Sequence, residues 1–282
     1  MAAKSVLITG CSSGIGEAAA LRLRQRGWRV FATARRISDL DGLRSAGCDV
    51  LALDVADEES RVSAVREAEA AAGGALDALV NNAGYSLSGA LETLDMDAVR
   101  RQFETNVFGL LRLCQLALPG MRARGRGRIV NVGSIGGRMT FPGGGAYHAT
   151  KHAVEALSDA MRFETAGFGV QVVLIQPGLI RSRFAETATA PMASLAGEGP
   201  YATFNAAIAK ATKAVYERGA LARLGGGPED VAKTIDKALS VPRPKARYSV
   251  TPSAKLLLKQ RAVMSDKAWD RFLASNFPRP GR

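Results

Sequence analysis

Tyr147 and Lys151 stand four residues apart in the segment YHATK. On a helix this spacing places both side chains on one face, about one turn apart. A free phenol ionises near pH ~10, but a fixed ammonium nearby favours the phenolate and lowers that pKa. The pair is therefore a candidate general acid and base. Ser134, thirteen residues upstream of Tyr147, is a candidate second hydrogen-bond donor to the same substrate oxygen.

A glycine-rich stretch follows the first apolar run of the chain. Residues 4–9 predict a buried parallel strand, residues 10–16 a turn, and residues 17–26 a helix. This order places backbone N–H groups and a helix N-terminus against a pyrophosphate. The glycine spacing is GxxxGxG rather than the GxGxxG of the common dinucleotide fingerprint.

The second predicted strand, residues 28–34, ends without the acidic residue that binds a ribose 2′-hydroxyl in many dinucleotide folds. Arg35 and Arg36 follow it instead. A carboxylate would repel a 2′-phosphate, whereas a guanidinium binds one with two hydrogen bonds. This end of the strand favours NADP(H) over NAD(H), although two arginines are also compatible with a charged surface.

Strands and helices alternate along the remainder of the chain. Further strands are predicted at 49–53, 76–80, 128–132, 170–175 and 247–250, and helices at 57–72, 95–118, 147–166, 204–218 and 228–240. This alternation predicts an α/β fold with a single doubly wound parallel β-sheet, Rossmann-like, with helices on both faces. We expect one domain over 1–282, with a cofactor half to about 133, a catalytic and substrate half over 134–252, and a basic tail over 253–282.

Composition argues against several other classes of protein. Apolar residues make up 47% of the chain, yet no apolar run approaches the ~20 residues of a membrane-spanning helix. The first residues do not resemble a secretory signal, and the three cysteines show neither disulfide nor metal spacing. The net charge of +12 is dispersed and accompanies no nucleic-acid-binding motif. We therefore expect a cytoplasmic protein without a transmembrane segment, a metal site or a nucleic-acid partner.

Taken together, the motifs resemble those of the short-chain dehydrogenase/reductase family in order and spacing. The residues that carry this resemblance are Thr9-Gly10, Gly14-Ile15-Gly16, Asn81-Asn82-Ala83-Gly84, Asn106, Ser134, Tyr147, Lys151 and Pro177-Gly178. The likeness covers about residues 4–182. The segments TGCSSGIG and VFATARR are most similar to the branch with 17β-hydroxysteroid and retinol dehydrogenases.

The resemblance implies a role for each matching residue. Catalysis falls to Ser134, which polarises the substrate oxygen, to Tyr147 as acid and base, to Lys151, and to Asn106, which kinks its helix and holds a water linking the lysine to solvent. The implied cofactor-binding residues are Gly10, Ser12, Ser13, Gly14, Ile15, Gly16, Arg35, Asp54, Val55, Asn82, Ala83, Gly84, Tyr147, Lys151, Pro177, Gly178, Ile180 and Ser182. At the last of these positions the family often has threonine.

The implied reaction interconverts a carbonyl and a secondary or primary alcohol, with hydride from the nicotinamide and a proton from Tyr147. Apolar residues near the expected cleft favour a small apolar substrate, such as a steroid, retinoid, fatty or polyketide carbonyl; they are Tyr85, Phe141, Pro142, Phe184, Met192 and Leu195. The family commonly forms dimers through two of its helices, so we expect a homodimer or homotetramer. His148 and His152 are expected to pack or face solvent rather than take part in the chemistry.

Three alternatives remain open at this point. A 3-oxoacyl thioester reductase would act on an acidic carrier and would need a basic patch at the mouth of the cleft. A regulator that senses NADP(H) without catalysis would share the fold but would not need a proton donor. A protein that binds membrane surfaces through its basic tail would sediment with anionic vesicles.

Overall fold

In the computed structural model, which describes residues 3–181, 199–217 and 223–280, seven strands form one parallel sheet. The strands are β1 (Ser5–Ile8), β2 (Arg29–Ala34), β3 (Asp49–Ala52), β4 (Ala78–Asn81), β5 (Gly127–Val132), β6 (Val170–Gln176) and β7 (Arg247–Ser249). The first six each contain an apolar or β-branched run of the kind that a buried strand requires, whereas the edge strand β7 is half-buried. The predicted doubly wound sheet is confirmed.

The strand order, β3-β2-β1-β4-β5-β6-β7, fixes the position of the ligand crevice. The chain builds outward from β1 to β3 and then returns to the other side of β1 to place β4. Connections on the two sides of this point leave in opposite directions, which opens a crevice beyond the carboxyl ends of β1 and β4. The glycine turn follows β1 and Asn82 follows β4, so both motifs border that crevice.

The described helices cover both faces of the sheet. They are α1 (Gly14–Gln25), α2 (Asp41–Ser45), α3 (Glu58–Ala72), α4 (Met96–Phe103), α5 (Gly109–Ala123), α6 (Gly145–Ala166), α7 (Ala202–Glu217), α8 (Pro228–Ser240), α9 (Pro252–Val263) and α10 (Asp266–Asn276). None of those in the described ranges has both the length and the apolar character needed to cross a bilayer.

The sheet has an apolar core on each face, because successive side chains of a strand point to opposite faces. Ile8 of β1 packs on one face with Leu23 of α1 and Ile235 of α8. Its neighbour Leu7 packs on the other face with residues of α3, α5 and α6. Both faces of the sheet are therefore buried, as a parallel sheet requires.

Two regions differ from the sequence-based expectation. The helix predicted over 95–118 is interrupted between α4 and α5 by a π-helical turn, Glu104–Phe108, which contains Asn106. The basic tail forms α9 and α10, and its apolar residues Leu257 and Trp269 are buried against Ile135 and Met139. The resemblance implied the kink at Asn106, whereas the burial of the tail depends on contacts with distant segments that the local sequence pattern does not indicate.

Candidate active site

A cavity of about 820 Å³ opens at the carboxyl edge of the sheet. Its walls come from the segments that follow β1, β2, β3, β4, β5 and β6, together with α6, α7, α9 and α10. The predicted site residues that line it are Gly10, Ser12, Ser13, Gly14, Ile15, Arg35, Asp54, Val55, Asn82, Ala83, Gly84, Ser134, Tyr147, Lys151, Pro177, Gly178 and Ile180. The structure thus brings the separate sequence motifs together at one place.

The conformation of the glycine turn after β1 is fixed by its backbone angles and by close packing. Gly10 and Gly14 have φ angles of 71° and 63°, which favour glycine. A Cβ at Gly16 would come within 2.2 Å of the Gly10 carbonyl oxygen, so Gly16 lets helix α1 start against the turn without itself lining the cavity. Asn82 Nδ2 donates to the carbonyl oxygens of Thr9 and Gly10 at 2.9 and 3.1 Å, which ties the turn to the end of β4.

These features fit a bound dinucleotide. The Ser13 side chain forms no cap on helix α1, so it does not occupy the N–H groups of the first turn that bind a pyrophosphate well. A Cβ at Gly10 would lie only 2.9 Å from the Ala83 Cα, so this position has no room for a side chain between the turn and the segment after β4. The turn can therefore approach a phosphate closely.

The two arginines after β2 differ in their surroundings. Arg36 pairs with Asp39 at 3.1 Å. Arg35 lines the cavity and forms no ion pair within the described ranges. Asp54 and Val55 follow β3 on the same side, and the Asp54 carboxylate accepts from the Ala56 N–H at 2.9 Å. Arg35 is thus the arginine that is available to an anionic group in the cavity.

Lys151 and Tyr147 lie one turn apart on α6, as their spacing predicted. The ammonium of Lys151 is 5.8 Å from the centroid of the Tyr147 ring and donates to the Val132 carbonyl oxygen at 2.9 Å. Burial lowers the pKa of Lys151 from 10.5 to about 8, because the enclosed site disfavours the ammonium. The lysine remains mostly charged at neutral pH.

Ser134 follows β5 and lines the same cavity as Tyr147 and Lys151 of α6. Its Oγ accepts a hydrogen bond from the Gly136 N–H at 3.0 Å. A hydroxyl that accepts in this way still has its own proton to donate. The Ser134 hydroxyl is therefore oriented to act as a donor.

Asn106 is 1% exposed and connects two segments of the site. Its Oδ1 accepts from the Tyr85 N–H at 3.0 Å, while Nδ2 donates to the Tyr85 carbonyl at 2.9 Å and to Thr150 Oγ1 at 3.1 Å. Thr150 lies between Tyr147 and Lys151 on α6. The π-helical turn at Asn106 therefore joins the loop after β4 to the helix that carries the tyrosine and lysine.

The segment after β6 forms another part of the cavity wall. The Pro177 carbonyl accepts from the Ile135 N–H at 3.0 Å, and Ile180 is buried beside it. A Cβ at Gly178 would lie 2.4 Å from Thr251 Oγ1, so this glycine allows the start of α9 to pack closely. The predicted residues Ser182, Phe184, Met192 and Leu195 lie outside the described residues.

The cavity includes residues that sequence reasoning did not assign to it. Leu257, Phe272, Asn276 and Phe277 come from α9, α10 and the residue after α10, which were expected to be a basic tail. They line the cavity together with Tyr85, Phe141 and Pro142, which were expected there. The apolar run Leu256-Leu257-Leu258 was the signal in the sequence that this tail contributes to a buried site. The run alone does not say which leucine is buried: Leu257 is 5% exposed and Leu256 is 51% exposed.

His148 also lines the cavity. It was expected to pack or to face solvent, and it is 9% exposed. Its ring stands edge-on to the Tyr147 ring with 5.5 Å between centroids, and 5.9 Å from the Phe141 ring. Burial lowers the pKa of His148 to about 4, so the imidazole is neutral at neutral pH.

Comparison with known proteins agrees with this geometry. A family model described as short chain dehydrogenase matches residues 4–193. The chain belongs to the short-chain dehydrogenase family. It is 36% identical over 270 residues to the uncharacterized oxidoreductase YbbO of Escherichia coli (strain K12), covering 96% of this chain and 94% of that protein. It is 36% identical over 275 residues to human 17-beta-hydroxysteroid dehydrogenase type 1, covering 93% and 81%. The predicted family is confirmed.

Solved structures that share the fold contain nicotinamide cofactors of both kinds. One from Burkholderia phymatum in complex with NAD has a TM-score of 0.78 and 25% identity, covering 99% of this chain and 98% of that chain. ElxO with NADP bound has a TM-score of 0.71 and 28% identity, covering 88% and 97%. This short-chain dehydrogenase is therefore an oxidoreductase of a family that uses a nicotinamide cofactor.

Proposed function

We propose that this short-chain dehydrogenase uses NADP(H) to interconvert a carbonyl and a secondary or primary alcohol on a small apolar substrate. When bound, NADPH supplies the hydride that reduces the carbonyl carbon. The observation that carries the proposal is the convergence of Ser134, Tyr147 and Lys151 on one cavity with the glycine turn. A protein that only sensed the cofactor would have no use for a proton donor there.

The protein's own groups neutralise the negative charge that develops on the substrate oxygen. In this proposal the Ser134 hydroxyl donates a hydrogen bond to that oxygen, because its Oγ already accepts from Gly136. Tyr147 transfers the proton, and the buried ammonium of Lys151 stabilises the phenolate left behind. Asn106 keeps α6 and the loop after β4 in register through Thr150 and Tyr85.

Replacing the proton donor separates chemistry from binding. We expect Tyr147→Phe to bind NADPH with nearly the affinity of the original protein but to lose at least ~100-fold in kcat, as loss of a general acid does. Binding is measured by quenching of tryptophan fluorescence, and turnover by loss of NADPH absorbance with a panel of ketones, aldehydes and carrier-bound 3-oxoacyl thioesters. Unchanged turnover would contradict the mechanism, and turnover only of the carrier-bound thioesters would favour the thioester reductase.

The choice of NADP(H) rests on Arg35, which lines the cavity without an ion pair among the described residues. We expect Arg35→Asp to weaken NADPH binding far more than NADH binding, because an added carboxylate repels the 2′-phosphate and the charge-assisted hydrogen bonds are lost. Arg36→Asp is the matched control, since Arg36 already pairs with Asp39. An unchanged ratio of the two dissociation constants in Arg35→Asp, or an equal change in both variants, would refute the assignment.

The apolar substrate is inferred from the apolar residues in the wall of the cavity. Leu257, Phe272 and Phe277 line it together with Tyr85 and Phe141. Such a wall binds a hydrocarbon skeleton by the hydrophobic effect. The cytoplasmic location and the homodimer or homotetramer stay predictions.

A further inference from the structure

His148 has the features of a recognition residue rather than of a core residue. It lines the cavity beside Tyr147, and its Nδ1 is buried without a hydrogen bond of normal geometry among the described residues. A buried ring nitrogen without a well-formed hydrogen bond destabilises the folded protein. An apolar side chain at this position would avoid that cost, so the imidazole calls for an explanation.

The ring is held in one orientation by its neighbours. A Cβ at Gly136 would lie 2.3 Å from Nδ1, and a Cβ at Gly144 would lie 2.6 Å from Nε2, so the two glycines make the slot that admits the imidazole. Phe141 and Tyr147 contact the ring from two further directions. Gly144 has a φ of −108°, which any residue adopts, so glycine is needed there for space rather than for backbone conformation.

The two nitrogens of the ring differ in access. Nδ1 is enclosed against Gly136, whereas Nε2 is not enclosed and has no hydrogen-bond partner in the described part of the chain. A neutral imidazole has one nitrogen that donates and one that accepts, and the tautomer adapts to its partner. Nε2 can therefore bind either a hydroxyl or a carbonyl oxygen of a ligand.

We propose that His148 is a specificity-determining residue whose Nε2 binds a second oxygen of the substrate, close to the carbonyl that Ser134 and Tyr147 hold. The preferred substrates are then hydroxyketones and dicarbonyl compounds whose remaining surface is apolar, rather than simple ketones. This inference rests on the proposed carbonyl chemistry and specifies which carbonyl compounds the same site selects.

The test compares matched substrate pairs in matched variants. Each pair consists of a simple ketone and its derivative with a hydroxyl or a second carbonyl two or three bonds away. His148→Phe keeps an aromatic ring in the slot but removes both nitrogens, and His152→Phe is the control because His152 is exposed on the same helix. Gly144→Ala is a second variant, which covers or displaces Nε2 while the imidazole remains.

We expect the ratio of kcat/KM for the oxygenated substrate to that for the simple ketone to fall about tenfold in His148→Phe, the effect of one lost hydrogen bond. The ratio should fall in Gly144→Ala and stay unchanged in His152→Phe. An unchanged ratio in His148→Phe, or a parallel loss on both substrates, would overturn the proposal and leave His148 a packing residue. NADPH binding by each variant verifies that it is folded.

Failure of the underlying function gives a different result. If the original protein reduces no carbonyl compound, the proposed reaction is wrong, whatever His148 does. Calorimetric titration of a dicarbonyl compound from one of these substrate pairs into the Tyr147→Phe protein with NADPH bound then tests His148 by itself. Binding that is about tenfold weaker after His148→Phe supports the recognition role, and equal binding excludes it.

Discussion

Replacing Lys151 by methionine should stabilise the cofactor-free protein while abolishing its activity. The ammonium is buried and its pKa falls from 10.5 to about 8. Since each pKa unit corresponds to about 1.4 kcal/mol, keeping Lys151 charged in this site costs the folded state about 3 kcal/mol. Methionine removes the cost but also the hydrogen bond to Val132, worth about 1 kcal/mol. The net gain is about 2 kcal/mol, or roughly 5 °C in Tm for a protein of this size.

The pH dependence gives this prediction a sign that can be tested. The folded pKa of Lys151 lies below its unfolded pKa, so the unfolded state binds more protons between pH 8 and 10.5. The stability of the original protein should therefore rise relative to Lys151→Met across that window. The advantage of the variant should be largest below pH 8 and should reverse above pH 10.5, where only the lost hydrogen bond of about 1 kcal/mol remains.

The assay is urea unfolding followed by tryptophan fluorescence, without cofactor, at several values of pH from 7 upward. Lys259→Met is the control, because Lys259 is exposed and its charge remains in water. A Lys151→Met protein that is less stable at pH 7, or a stability difference that does not depend on pH, would refute the reasoning that burial of this ammonium is the dominant cost. Loss of turnover in the same variant would show that function maintains the lysine at the expense of stability.

Two further predictions concern the walls of the cavity. Leu257→Ala should raise KM for large apolar carbonyl compounds about tenfold, whereas Leu256→Ala, at the neighbouring exposed position, should leave KM unchanged. Steady-state kinetics with a series of carbonyl compounds of increasing size measures both values. Equal effects of the two substitutions on KM would place the substrate elsewhere. His148, whose pKa burial lowers from 6.5 to about 4, should cost the folded state about 3 kcal/mol on acidification from pH 6.5 to 4. His148→Gln should remove that slope from urea unfolding curves, whereas an unaltered slope would assign the acid sensitivity to other groups.

The sequence by itself determined the features that depend on neighbours along the chain. Apolar runs predicted the strands β1 to β6, because a parallel sheet buried on both faces requires such runs. Tyr147 and Lys151 meet because helical geometry fixes where residues four apart lie. The turn after β1 was recognisable because Gly10 and Gly14 supply left-handed backbone conformations that other residues rarely adopt.

Only the tertiary structure decided which equivalent residues take part in the site. Arg35 and Arg36 are alike in sequence, but only Arg36 meets an aspartate, so Arg35 is left facing the cavity. Leu257 lines the cavity and Leu256 faces solvent because α9 packs at Gly178 and against Ile135 in one orientation. His148 reaches the cavity because Gly136 and Gly144, from separate turns, leave a slot for its ring. These outcomes depend on contacts between segments distant along the chain, which no local periodicity encodes.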